Sequence, residues 1–398
     1  MSVSATEVPH YPMVRDAPLE PPPAILRLLE DQPTSRVRLY SGQEAWLVTR
    51  YQDVRTLLTD PHVSADVRRP GYPAVSAALA HFTEGLLNHM DSPEHDRYRR
   101  MLVPKFMVKR MEQLRPQVQT TVDGLVGDMV AAQRPADLVT ALALPVPGHA
   151  AGALLGVPPE DRPRFGKRAE DCLSGQLETA QAASRELHQY LEGLVAARQA
   201  EPQDDLISHL AVEFVATGAI TAADLVTQAR LMLVAGFDTT ANMITLGLAT
   251  LLQHPEQFAR LRDDLTLVPG AVEELLRYLT VTHRGRHRVA TADIELSGQL
   301  IRAGEGVIAA QDAANRDPAM FERPNELDIT RANARHHLAF GFGPHQCLGA
   351  ALARIELQVA FETLLRRIPD LRLAVPLEQI RFKHESAVYG VYELPVTW

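Results

Sequence analysis

The sequence predicts a mainly α fold with a minor β portion, in a single domain over residues 1–398. Three observations carry this. Apolar residues recur at helical spacing from Ser92 to about residue 282. Strand-like alternation is confined to short stretches near 37–49, 286–312 and the tail 370–398. The composition is that of a globular chain, 46% hydrophobic and 22% charged over 398 residues, enough to bury a large core without crosslinks.

The elements follow in order. Residues 1–24 are proline-rich and read as an extended lead-in. Val37–Tyr40 and Ala45–Thr49 flank Ser41-Gly42 as a hairpin, and a short helix follows at about 51–59. Residues 60–90 hold Pro61, Pro70, Gly71 and Pro73 and read as loop with one short helical piece. Ser92 is placed to cap the next helix, with Pro93 at its first position. Breaks are expected at Arg134-Pro135, Pro145 to Pro147, Pro158-Pro159 and Glu201-Pro202. Thr221 and Asp224 form a capping-box start for a long helix reaching about 253, and another helix covers about 270–279. Short strands are expected at Ile294–Leu296 and Val307–Ala309, loops over 313–346, a helix at about 348–367 and strands in the tail.

Charge and apolar runs narrow the functional classes. Lys plus Arg is 40 against 49 Asp plus Glu, a net charge of −9, which excludes a general nucleic-acid binder. Cys172 and Cys347 give no disulfide framework, point to a reducing compartment and cannot supply the four ligands of an iron–sulfur cluster. The N-terminus lacks a basic stretch followed by an apolar run, so no signal peptide is expected. The most apolar stretch, Leu231 to Leu252, carries Asp238 at its middle, so no membrane span is expected. The reading is a soluble, cytoplasmic monomer.

Residues 338–354, LAFGFGPHQCLGAALAR, set a glycine-bearing loop directly before a helix, with Cys347 at the junction. Turn N–H groups and the positive helix end would favour a thiolate there, a strong ligand for a soft metal. Gly343 and Gly349 would let a flat ligand approach the backbone. The plainer alternative is a small buried hydrophobe. The full spacing, Phe340-x-x-Gly343-x-His345-x-Cys347-x-Gly349, resembles the haem-binding loop of the cytochromes P450, the haem-thiolate monooxygenases.

Further segments extend the resemblance, in the right order, from about residue 90 to 354. Glu274 and Arg277 share a helix face and match the family's Glu-x-x-Arg pair, which implies a buried structural ion pair. Ala235–Thr240, AGFDTT, places glycine, two threonines and an acid inside an apolar helix. These poor helix formers suggest a local opening that frees a carbonyl, the alternative being an exposed acidic face. The string resembles the family's oxygen-activating motif, which implies that Thr239 donates a hydrogen bond to the bound oxygen and Asp238 brings in protons. His95 and Arg99 share a face, and with Arg288 and His345 they match the family's haem-propionate contacts. Ala314–Pro318 resembles the connector before the cysteine loop. Gln346 precedes the cysteine, and Ala351 stands where many relatives have proline.

The resemblance implies the cytochrome P450 fold, haem b (iron protoporphyrin IX) with Cys347 as iron ligand, and O2-dependent hydroxylation or epoxidation of a small organic substrate such as a secondary metabolite. It also implies electrons from a ferredoxin and ferredoxin reductase, since the chain shows neither a phosphate-cradling glycine fingerprint nor a flavin-sized addition. Arg97, Arg99, Arg100, Lys105, Lys109 and Arg110 follow one another with no acid between them, either a ferredoxin docking patch or a solvated face. Ala235 and Val281 are expected in the substrate pocket. Alternation along Thr280–Arg288 puts Arg284, Arg286 and Arg288 on one side. There Arg284 meets an acidic substrate, or these arginines meet propionates or acidic neighbours. Loops around 70–88 and 165–185 complete the pocket, with Pro70, Gly71 and Pro73 marking a moving lid. Alternatives are a peroxide-driven haem-thiolate enzyme, a non-enzymatic haem sensor or carrier, and a haem-free helical protein.

Overall fold

A helix of 32 residues, Ala222–Gln253, runs through the middle of the molecule. The computed structural model describes residues 8–74, 85–174 and 176–398. The central helix starts with the expected capping box: Thr221 Oγ1 accepts from the Asp224 N–H at 3.1 Å, and Asp224 Oδ2 accepts from the Thr221 N–H at 2.8 Å. From Ala241 to Leu251 every residue is buried, because helices pack on all sides: Pro145–Leu155, Arg162–Cys172, Leu177–Ala200 and Ala350–Arg367. By length and composition this helix could cross a bilayer, but 67% of its most apolar window is buried inside the protein. A helix apolar all round is here a core helix.

The β portion lies beside this bundle. Its main sheet has the order Thr34–Arg38, Glu44–Val48, Gly306–Ala309, Arg286–Ala290, Val63–Ser64. The expected hairpin is present, with Thr34 opposite Val48 and Arg38 opposite Glu44. Gly306–Ala309 joins it in parallel and pairs antiparallel with Arg286–Ala290, setting Arg288 opposite Val307. The helix Tyr51–Thr59 matches its expected bounds. Its first N–H, on Tyr51, donates to Asp317 Oδ2 of the Ala314–Pro318 connector at 2.8 Å.

Several local expectations are corrected. Ser92 does not cap: its hydroxyl donates to Asp96 Oδ2 at 2.6 Å, and the helix Glu94–Leu102 has no side-chain cap. Pro145 to Pro147 do not interrupt the chain. A π turn, Val139–Ala143, runs directly into Pro145–Leu155, since prolines in a first turn lack only N–H groups that had no partner. The lead-in contains the start of an unexpected helix, Pro23–Asp31, which buries Ile25 and Leu29. The tail forms only the strands Arg372–Leu373 and Pro395–Thr397, with one isolated bridge, Phe382 to Val391. Within 60–90, the described residues show a single 3-10 turn, Leu87–His89, while 75–84 lie outside them. The central helix is unbroken across Ala235–Thr240, so the predicted opening is absent.

Candidate active site

The cysteine loop turns twice through positive φ, at Gly341 and Gly343, and closes with the Cys347 N–H donating to the Phe340 carbonyl at 2.8 Å. The helix Ala350–Arg367 starts three residues later. Cys347 is a free, accessible thiol, yet surrounding protein desolvates it and pushes its pKa up. Both hold for a group on the wall of an internal cleft. Arg286, the Gly349 N–H, Arg99 and Arg354 pull the other way and are outweighed. The thiol therefore keeps its proton until a metal displaces it. Among the described residues no cluster of three His, Cys, Asp or Glu is placed to hold a metal ion. A metal bound at Cys347 must bring its other ligands with it, as a porphyrin iron does.

A Cβ on Gly343 would lie 2.8 Å from the Leu58 carbonyl, so this glycine serves close packing on the end of helix Tyr51–Thr59. A Cβ on Gly349 would sit 3.9 Å from the Cys347 sulfur, an ordinary contact. Phe340 is held by the Arg354 guanidinium, 4.6 Å from its ring centre.

Around the same cleft gather two histidines and three arginines, and, among the described residues, His95 Nδ1 alone of them meets a carboxylate, Asp96 Oδ1 at 3.0 Å. His95 is 2% exposed, and its Nε2 has no partner. Its ring lies 4.2 Å from that of His345, whose Nδ1 is likewise buried and partnerless. Burial, then Arg288, His95 and Arg99, hold His345 down to about 2. Arg99 and Arg286 both act on Cys347, and Arg286 and Arg288 both act on Tyr72. Among the described residues, none of Arg99, Arg286 and Arg288 has a carboxylate at ion-pair distance. Burial lowers the pKa of all three. Unpaired buried cations are costly, and a ligand carrying two carboxylates would remove that cost. A haem, with iron for the thiol and two propionates for the cationic rim, fits the residues present.

The three arginines do not share one side. Gly285, at φ +66°, breaks the alternation, and a Cβ there would lie 2.6 Å from the Ala309 carbonyl. Arg284 turns away to Tyr11 and donates to the Glu385 carbonyl. Val281 is buried in the main core cluster. Ala235 is exposed and Thr239 half-buried, along one face of a helix otherwise enclosed. The Thr239 hydroxyl donates to the Ala235 carbonyl at 2.8 Å, which satisfies the helix instead of opening it.

Asp238 points into the protein. It is 1% exposed, with Oδ1 3.5 Å from Lys383 Nζ. Burial pushes its pKa up to about 6, opposed by Lys383 and reinforced by Glu170. Sequence reasoning missed Lys383 and Glu170, because neither lies near residue 238 and both look like ordinary surface charges. The Glu274–Arg277 pair is fully buried and bidentate, at 2.7 and 2.8 Å. Arg277 also donates to the carbonyls of Asn315 and Pro324 at 2.8 Å.

The basic stretch is not one surface. Arg99 faces the cleft, and Lys105 is paired with Glu213 at 2.7 Å. Arg97, Arg100 and Lys109 remain exposed, interleaved with exposed Val103, Met107 and Val108.

The comparisons with known proteins agree with this geometry. The family model described as Cytochrome P450 matches residues 170–381. The chain is 48% identical to Cytochrome P450-SU2 of Streptomyces griseolus, over 96% of this chain and 94% of that one. It is 47% identical to pentalenic acid synthase of Streptomyces avermitilis, over 98% and 97%. The crystal structure of GfsF, a cytochrome P450 of Streptomyces halstedii, superposes with a TM-score of 0.93 at 47% identity, over 98% of this chain and 100% of that one. A thiol facing arginines that lack carboxylate partners, carried on a fold shared over almost the whole chain, has one consistent reading: the chain belongs to the cytochrome P450 family and is a haem-binding monooxygenase.

Proposed function

We propose that this enzyme activates O2 with electrons from a separate ferredoxin and its reductase, and hydroxylates or epoxidises a small organic secondary metabolite. It acts as a cytoplasmic monomer of one domain. The single observation carrying the site assignment is Cys347 on the cleft wall beside Arg286 and Arg99, neither of which has a carboxylate at ion-pair distance among the described residues. When bound, haem supplies the redox chemistry, reducing O2 with two electrons and two protons so that one oxygen enters the substrate and the other leaves as water.

The chain's residues do the rest. Cys347 Sγ would hold the haem iron, its negative charge favoured by Arg286, the Gly349 N–H and Arg99. Arg99, Arg288, His95 and His345 would bind the haem propionates, with Arg286 beside them. Thr239 Oγ1 presents the hydroxyl on the pocket face of the central helix, resting on the Ala235 carbonyl. Asp238, with a proton affinity near neutrality, passes protons inward. Ala235, on the exposed face of the central helix, is the pocket residue, whereas Val281 lies in the main core and Arg284 turns toward Tyr11 and Glu385. A relative named for pentalenic acid synthesis supports the substrate class.

Two measurements test this reading. Enzyme supplied with ferredoxin, reductase and candidate metabolites should insert one atom of labelled O2 into product; turnover with peroxide and none with the reductase system would reverse the choice of oxidant. Thr239→Ala should keep haem and substrate but release most electrons as peroxide. Full coupling in that variant would remove Thr239 from the mechanism.

A further inference from the structure

Lys383 carries an ammonium into the protein interior, its side chain only 4% exposed. Nζ lies 2.8 Å from Glu170 Oε1, on helix Arg162–Cys172, and 3.5 Å from Asp238 Oδ1, on the central helix. Asp238 Oδ1 is buried and accepts no hydrogen bond among the described residues. Glu170 lies in turn 3.2 Å from Lys167 Nζ, which is 68% exposed. Charges of alternating sign thus run from the surface to the middle of the central helix: Lys167, Glu170, Lys383, Asp238.

The loop that carries Lys383 is pinned. The Ser386 hydroxyl donates to the Leu173 carbonyl at 3.0 Å, and the Ala387 N–H to the same oxygen at 3.3 Å. Lys383 N–H donates to the Gly390 carbonyl at 2.8 Å. A lysine on a surface loop keeps its head in water; this one is held where only paired charge is tolerated. The charged groups acting on Asp238 are Lys383 from the C-terminal loop and Glu170 from helix Arg162–Cys172, while Asn242 lies one turn along its own helix, its amide nitrogen buried without a hydrogen-bond partner among the described residues. Two carboxylates therefore compete for one ammonium, and Glu170 holds the closer share.

We propose that Lys383 is a positioning residue for proton delivery, its ammonium shared between Glu170 and Asp238 so that the Asp238 carboxyl can both hold and release a proton. Without the ammonium, burial would keep the carboxyl protonated. With the ammonium wholly its own, Asp238 would stay ionised. This proposal rests on Asp238 being the proton supplier.

The test is infrared titration of the Asp238 carboxyl in the haem-loaded ferric enzyme, identified by its loss in Asp238→Asn. Lys383→Met should raise the midpoint by about one pH unit or more, and Lys383→Arg should restore it. Glu170→Gln should lower it, because the ammonium is then free for Asp238. These opposite signs are what a merely structural role would not produce. Should Lys383→Met fail to fold, the downward shift in Glu170→Gln decides alone. Midpoints that stay put, or move in the same direction, overturn the proposal. Loss of coupling in Asp238→Asn without these shifts would overturn Lys383 and leave Asp238 in its role. Unchanged coupling in Asp238→Asn would overturn both.

Discussion

At the cysteine, burial wins over nearby cations: desolvation raises the Cys347 pKa although Arg286, Arg99 and Arg354 act to lower it. The sequence expectation of a thiolate prepared by turn N–H groups is met in kind, since the Gly349 N–H does point at sulfur, but not in balance. Another buried acid gives a cleaner pH test. Glu356, 2% exposed beside Thr240, is pushed up to about 8 by burial, from an ordinary 4.5. The folded state holds this proton where the unfolded chain has released it. This group's contribution to stability is therefore greatest below about pH 4.5, falls as pH rises, and levels off above about 8. Glu356→Gln should flatten this slope and raise stability above pH 8 by a few kcal/mol, read from denaturant midpoints against pH. An unchanged slope would place the titration elsewhere.

Among the elements, the helix Arg162–Cys172 is located by one ring. Phe237 of the central helix projects between Gly148 and Gly166, where added Cβ atoms would lie 2.7 and 2.2 Å from it. The ring is trapped between two helices, so it cannot step aside from both. Gly166→Ala should cost about 1–3 kcal/mol in thermal unfolding by overpacking. It should also shift Glu170 away from Lys383, visible as altered hydrogen exchange over Arg162–Cys172. A neutral outcome would mean this helix is free to move. Element boundaries were legible where apolar periodicity was clear, as at Tyr51–Thr59, and where a capping box marked the start, as at Ala222–Gln253. They were misread at Pro145 to Pro147, where proline signals a break but a first helical turn tolerates it. The AGFDTT string was misread similarly: weak propensity gave way to packing and to the Thr239 side-chain bond.

For the whole molecule, the residues that were legible are those whose spacing along the chain matches a known pattern: Cys347, the Glu274–Arg277 pair and the His95–Arg99 face. What stayed hidden needed three dimensions. Lys383 meets Asp238 across the fold, Gly285 diverts Arg284 from its neighbours, and Glu213 reaches Lys105 from a distant helix. The same folding divides the basic stretch that follows Arg97. Exposed Arg97, Arg100 and Lys109 around exposed Val103, Met107 and Val108 suit an acidic partner with an apolar centre. Charge reversal at Arg100 and Lys109 should slow reduction by ferredoxin roughly tenfold and flatten its salt dependence, whereas reversal at the already paired Lys105 should do less. Equal effects at all three would disperse the patch.

The central claim is that the sulfur of Cys347 coordinates haem iron. The direct measurement is the absorption spectrum of purified, reduced protein under carbon monoxide, beside that of Cys347→Ser. The account predicts a strongly red-shifted Soret band in the parent chain that disappears in the variant. A band at the unshifted position of a nitrogen-ligated haem, or one that survives the substitution, would contradict it.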